Sequence, residues 1–125
     1  MKKIQNCLVF LSNPYTHNSQ EVVDQRYEDC LKLSYDLMFK HQVNLVSPVL
    51  IGHPIVKKYP MPSDWSSWKK YCECLIRKSE VFLIFKLDGY DTSVGVQEEL
   101  DIAIKHHKKI FFINKELILE EYAND

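Results

Sequence analysis

The chain has 125 residues, 46% of them hydrophobic, with 16 basic and 17 acidic side chains and a formal charge of −1. That length suits one domain over residues 1–125, and the intermingled charges form neither a basic stripe for a duplex nor an acidic tail, so polymeric nucleic acid is not an expected partner. No run approaches the roughly 18 to 20 apolar residues that span a bilayer, so no membrane partner is expected either. Only three glycines occur, Gly52, Gly89 and Gly95, which argues against a turn-rich β-sandwich and against a GxGxxG or Walker loop.

In chain order, Ile4 to Leu11 is a short apolar run ended by Ser12-Asn13-Pro14, the pattern of a strand covered on both faces. From about Ser19 to His41, Val23, Tyr27, Cys30, Leu31, Ser34, Leu37 and Met38 recur at helical spacing, with Ser19 or Asn18 placed to cap the start. Val43 to Ser47 reads as a second strand. The following stretch to Ser63, holding Pro48, Pro54, Pro60 and Pro62 without periodicity, reads as a long loop. Trp65, Trp68, Cys72, Leu75 and Ile76 then share one helical face, and Glu80 to Leu87 is a third strand. A polar turn from Asp88 to Ser93 leads into a helix marked by Val96, Leu100, Ala103 and Ile104 and ended by the basic His106 to Lys109, before a fourth strand from Ile110 to Ile113.

Strands alternating with helices predict the α/β class: a flavodoxin-like (Rossmann-like) three-layer sandwich with a mostly parallel sheet of four to five strands. Ligands of such folds sit beyond the carboxyl ends of the strands, which directs attention to Ser12 to Asn18, Ser47 to Asp64 and Asp88 to Gly95. The four cysteines, Cys7, Cys30, Cys72 and Cys74, match neither zinc spacing nor a disulfide framework. They are expected to be reduced and mostly buried in a cytoplasmic protein, with no metal and no cofactor.

The richest segment is Asp88-Gly89-Tyr90-Asp91-Thr92-Ser93-Val94-Gly95-Val96-Gln97-Glu98-Glu99. Ser93 is placed to cap the helix, Gly95 to let a ligand approach backbone N–H groups at the positive end of the dipole, and Glu99 to flank the buried line through Val96 and Ala103. Glu98 is rotated about 100° away from it. Acidic residues also serve simply to favour a helix start.

FLSNPYTH near the start, SPVLIGHP in the middle, DWSSW, and DGYDTSVGVQEELDIA together resemble the nucleoside 2-deoxyribosyltransferase-like superfamily over nearly the whole chain. The resemblance is to a small bacterial and phage branch, and to deoxynucleoside 5′-monophosphate N-glycosidases. It implies that Glu99, four residues after the glycine of the last motif, attacks the anomeric carbon of a nucleotide or nucleoside, and that water or a second base resolves the glycosyl-enzyme. It also implies that Ser93, six residues before Glu99, favours a 5′-phosphate, since a hydroxyl does not repel the dianion as an aspartate would. A small-molecule nucleotide or nucleoside is thus the expected partner, and a homodimer or higher homo-oligomer the expected assembly.

Three positions depart from that pattern. Phe10 stands where relatives carry a tyrosine beside the nucleophile, Cys72 where they carry an aspartate that assists base departure, and Thr16 where the monophosphate hydrolases carry an arginine. Tyr15 is the expected stand-in for the missing hydroxyl, and Asp64, Glu73, Asp88 or Asp91 for the missing acid. Tyr15 and Asp88 therefore join Glu99 as candidate catalytic residues. Ser12, Asn13, His53, Asp91, Ser93 and Gly95 are the candidate substrate-binding residues, with His53 suited either to stack on or bond a base or, equally, to make a structural bond as a turn histidine. Arg26 and His17 lie near the missing arginine in sequence, although position 26 equally suits a surface helix residue. The helical spacing of Trp65 and Trp68 suits core or interface anchors better than a base-stacking platform. The alternative to an enzyme is a nucleotide-binding module that keeps the pocket and has weakened chemistry.

Overall fold

The computed structural model describes residues 1–59, 61 and 64–123. After a short 3₁₀ turn at Lys2–Ile4, strand β1 spans Leu8–Ser12, starting later than the apolar run because Asn6 takes a positive φ of 59° and breaks the extension. Helix α1, Gln20–Tyr35, opens on Ser19, whose side chain accepts from the Val22 N–H, and runs into a π-helical turn at Asp36–Lys40. Its inner face is Val23, Cys30, Leu33, Ser34 and Leu37. Leu31 and Met38, expected inside, are 43% and 38% exposed. Leu31 lies about 100° off the Cys30 line, and the wider π turn rotates Met38 outward.

Strand β2, Asn44–Val46, leads into helix α2, Pro48–Lys58, where a loop was expected. Ser47 caps this helix by accepting from the Leu50 N–H, Pro48 occupies the opening position that tolerates proline, and Pro54 is carried inside. Pro54 gives up only its own N–H bond, and the helix continues past it to Lys58. Pro60, Pro62 and Ser63, the rest of the expected loop, lie outside the described residues. Helix α3 spans Trp65–Lys78, strand β3 Val81–Phe85, helix α4 Val94–Lys105 and strand β4 Lys109–Ile113. The side chain of Asn114 then accepts from the N–H groups of Glu116 and Ile118, closing a turn into β5, Leu119–Glu121.

The five strands form one sheet in the order β2-β1-β3-β4-β5. The first three pairings are parallel and the β4–β5 pairing is antiparallel. Alternation along the strands divides the core. Val9 and Leu11 of β1 and Val81, Leu83 and Phe85 of β3 meet the α1 side with Cys30, Leu33 and Leu37. Phe10, Phe82 and Ile84 face Cys72 and Ile76 of α3 and Val96, Leu100 and Ala103 of α4. The order reverses direction between β1 and β3, so a crevice opens there at the strands' carboxyl ends.

Arg26 crosses the mouth of that crevice. Its guanidinium donates to the carbonyls of Thr16, at 3.0 Å, and Asp88, at 3.1 Å, tying the loop after β1 to the loop after β3. Gly89 makes this possible: its φ is +92°, and a Cβ there would lie 2.6 Å from an Arg26 nitrogen. Gly89→Ala is therefore expected to cost about 1–2 kcal/mol from the left-handed backbone, with the displaced guanidinium adding to it. Chemical denaturation of the two proteins side by side checks this, and equal midpoints would refute it.

Candidate functional site

Position by position, α4 delivers the chemistry. Ser93 precedes the helix with extended backbone, and its Oγ accepts from the Val96 N–H at 3.2 Å, which leaves the hydroxyl hydrogen to donate elsewhere. Glu99 comes on the next turn and faces inward, 7% exposed, whereas Glu98 is exposed. The Glu99 carboxylate accepts a 2.6 Å hydrogen bond from Ser12 Oγ at the end of β1 and a second from the Cys72 thiol of α3. Ser12 thus supplies the hydroxyl expected from Tyr15. Phe10, one pleat earlier, is fully buried and stacks on Phe82 with ring centroids 5.6 Å apart.

Burial dominates the electrostatics at Glu99. It raises the carboxyl from its ordinary 4.5 to about 7, against the lowering effect of the Ser12 and Cys72 hydrogen bonds. The dipole acts mainly within the first turn, and Glu99 lies beyond it, so desolvation wins. The Cys72 thiol is pushed well up, first by burial and then by the Glu99 charge, and so remains a protonated donor.

Glu99 lines a cavity with Asn13, Tyr15, His53, Ser93 and Gly95. Trp65, Trp68 and Cys72 of α3 form a wall of it, with Gly52 and Val56 of α2 among the other lining residues. The tryptophans are therefore cavity residues as well as helix anchors. Gly52 lies against Trp68, where a Cβ would come within 2.9 Å of the indole; its service is to helix packing and not to a turn. Asn13 is buried, its amide nitrogen donates to the Pro14 carbonyl at 3.0 Å, and its Oδ1 has no hydrogen-bond partner among the described residues.

His53 occupies the centre of α2, 6% exposed. Its Nδ1 meets the Tyr15 hydroxyl at 2.8 Å, its ring stacks on Tyr27 with centroids 4.1 Å apart, and its Nε2 lies 3.6 Å from Asp24 Oδ1. Tyr15 is thereby paired with His53. Among the acidic stand-ins, Asp64, Asp88 and Asp91 are exposed, Glu73 is half-buried, and none of the four is among the lining residues. Asp64 accepts from the hydroxyls of Ser66 and Ser67, and His17 accepts from the Ser19 N–H. Of the cysteines, Cys30 and Cys72 are buried, Cys7 is half-buried and Cys74 exposed.

Residues 7–115 match a domain of unknown function, DUF1937. The chain belongs to the DUF1937 family. The matched stretch runs from the residue before β1 to the turn after β4, so every cavity residue of this DUF1937 protein falls inside it. No curated protein matches the chain. Among the described residues of this DUF1937 protein, no three His, Cys, Asp or Glu side chains group so as to hold a metal ion, and no helix is long and apolar enough to cross a membrane.

Gly95 separates fold from cavity. Its backbone takes no positive φ, and a Cβ there would meet only Ser93 Oγ, at an ordinary 3.8 Å. Gly95→Ala is therefore expected to stabilise the folded protein by roughly 0.5–1 kcal/mol through helix propensity while narrowing the cavity. Thermal unfolding of the two proteins side by side tests this, and an unchanged or lowered midpoint would refute it.

Proposed function

We propose that this protein cleaves the N-glycosidic bond of a small deoxynucleotide or nucleoside, with Glu99 as the nucleophile. The observation that carries the reading is the buried Glu99 carboxylate, held by Ser12 at 2.6 Å in a cavity that also presents Tyr15, His53 and Ser93. The motif resemblance independently points to the same glutamate. In this scheme a Glu99 oxygen bonds to C1′ as the C1′–N bond breaks, and water or a second base then releases the sugar, the pattern of retaining glycosyl transfer. The Ser93 hydroxyl suits a phosphate oxygen or 5′-hydroxyl of the substrate, and the indoles of Trp65 and Trp68 offer flat apolar surface to a base.

One observation favours a second reading, a nucleotide-binding module. Burial holds Glu99 near 7, so at neutral pH about half of it is protonated and not nucleophilic. The deciding experiment incubates the protein with deoxynucleoside 5′-monophosphates and nucleosides and detects free base by chromatography, alongside calorimetric binding. Release that depends on Glu99 supports the enzyme. Binding without release from any compound overturns it in favour of the module.

A further inference from the structure

An N-glycosidic bond breaks with its electron pair passing to the base, and a neutral base leaves readily only if a proton reaches it. Glu99 is occupied as nucleophile in the proposed reaction, and the Cys72 thiol donates to Glu99. Asp64, Glu73, Asp88 and Asp91 are not among the cavity-lining residues. Tyr15 and His53 do line the cavity, joined at 2.8 Å, and Asp24 on α1 lies 3.6 Å from the far imidazole nitrogen. Tyr27 stacked on the ring fixes its plane. Phenol, imidazole and carboxylate thus stand in series from the cavity to the surface, where Asp24 is also held by Lys57 and Gln20.

We propose that Tyr15, His53 and Asp24 form a proton relay in which Tyr15 protonates the departing base and His53, oriented by Asp24, resupplies Tyr15. This rests on reading the cavity as an N-glycosidase site. In the first half-reaction the Glu99 oxygen–C1′ bond forms and the C1′–N bond breaks. The Tyr15 O–H proton passes to the base, and the Nδ1 proton of the His53 imidazolium passes to the Tyr15 oxygen. In the second half-reaction water adds to C1′ and the electron pair of the ester bond returns to Glu99. The water proton goes to Tyr15 as Tyr15's proton returns to His53. The sum is substrate plus water giving base plus free sugar, and the relay ends as it began. Tyr15 is the catalytic member; His53 and Asp24 act through it.

Charged groups facing His53 are Asp24 and Glu28 from α1 and Lys57 from α2, and burial lowers it below its ordinary 6.5. Release of a neutral base therefore falls as pH rises through the His53 titration. Asp24→Asn removes a charge that favours the imidazolium, so this fall moves to lower pH.

The test compares bases that need a proton with counterparts that need less help: guanine and adenine deoxynucleotides against their N7-methylated forms, and deoxyuridine monophosphate against its 5-fluoro derivative. Tyr15→Phe is expected to slow release of the unmodified bases by roughly 10²- to 10⁴-fold, with much smaller losses on the activated ones. Asp24→Asn, at a partly exposed position, is expected to shift the pH profile on unmodified bases alone. Equal losses on both classes, or a pH profile unmoved by Asp24→Asn, would overturn the relay and leave the glycosidase reading standing. Absence of release from every wild-type reaction would overturn both.

Discussion

Glu99→Gln is expected to lower release of free base by roughly 10⁴- to 10⁶-fold, the scale on which removal of an attacking group acts, while nucleotide binding survives. Gln keeps the shape of Glu, and its carbonyl oxygen can accept from Ser12 and Cys72 as the carboxylate does. What it lacks is an oxygen able to form a stable ester with C1′. Neighbouring Glu98 is the control, because it is exposed; Glu98→Gln is expected to leave release unchanged. Single-turnover base release with the three proteins checks both statements. If the two variants behave alike, Glu99 is not the nucleophile.

The second large effect is on stability. A carboxyl raised from 4.5 to about 7 on folding binds more protons in the native state than in the unfolded state between those values. Its contribution is complete below pH 4.5 and is lost as pH rises through 7, amounting to about 3 kcal/mol at alkaline pH. Glu99→Gln has no such titration. The variant is expected to match the wild type near pH 4 and exceed it at pH 8 by about 3 kcal/mol, a Tm difference on the order of 10 °C. In the proposed reaction the same titration governs rate, since only an ionised carboxylate can attack C1′. Wild-type release should therefore climb with pH through about 7 before the His53 effect is counted. Thermal unfolding of both proteins from pH 4 to 8 settles the stability claim, and parallel curves would contradict it. His53 is common to both proteins, so it cancels in the difference.

The alternation of buried strands and capped helices was readable because each signal is local. VFLIF is apolar throughout and is a strand buried throughout, and Ser93 caps α4 as its position foretells. Glu99 could be told from Glu98 because a helix of known phase assigns one inward and the other outward. Helix α2 could not be read, since Gly52 and Pro54 mimic a loop and the side it buries centres on Gly52 and His53 while Ile51 and Ile55 are exposed. With it went the role of His53, whose partners Tyr15, Tyr27 and Asp24 lie in other segments. The raised Glu99 carboxyl was likewise out of reach, because desolvation is set by what packs over a residue and not by its neighbours in the chain. Strand β5 is too short to carry a period, and its existence depends on the Asn114 turn.

The pleat of β1 has an arithmetic consequence. Phe10 packs with the α3 and α4 core and Ser12 reaches Glu99 of α4, whereas Val9 and Leu11 serve the opposite layer. The hydroxyl that meets Glu99 is thus addressed by parity: moving the contact two positions along the strand keeps it on the same side, and moving it one does not. A single-residue insertion between Phe10 and Leu11 would present Leu11 to the carboxylate and send the serine to the other layer. A two-residue insertion would keep the serine on the α4 side but carry it about 7 Å along the strand, out of reach of Glu99, so the contact fixes the length of this strand end as well as its parity.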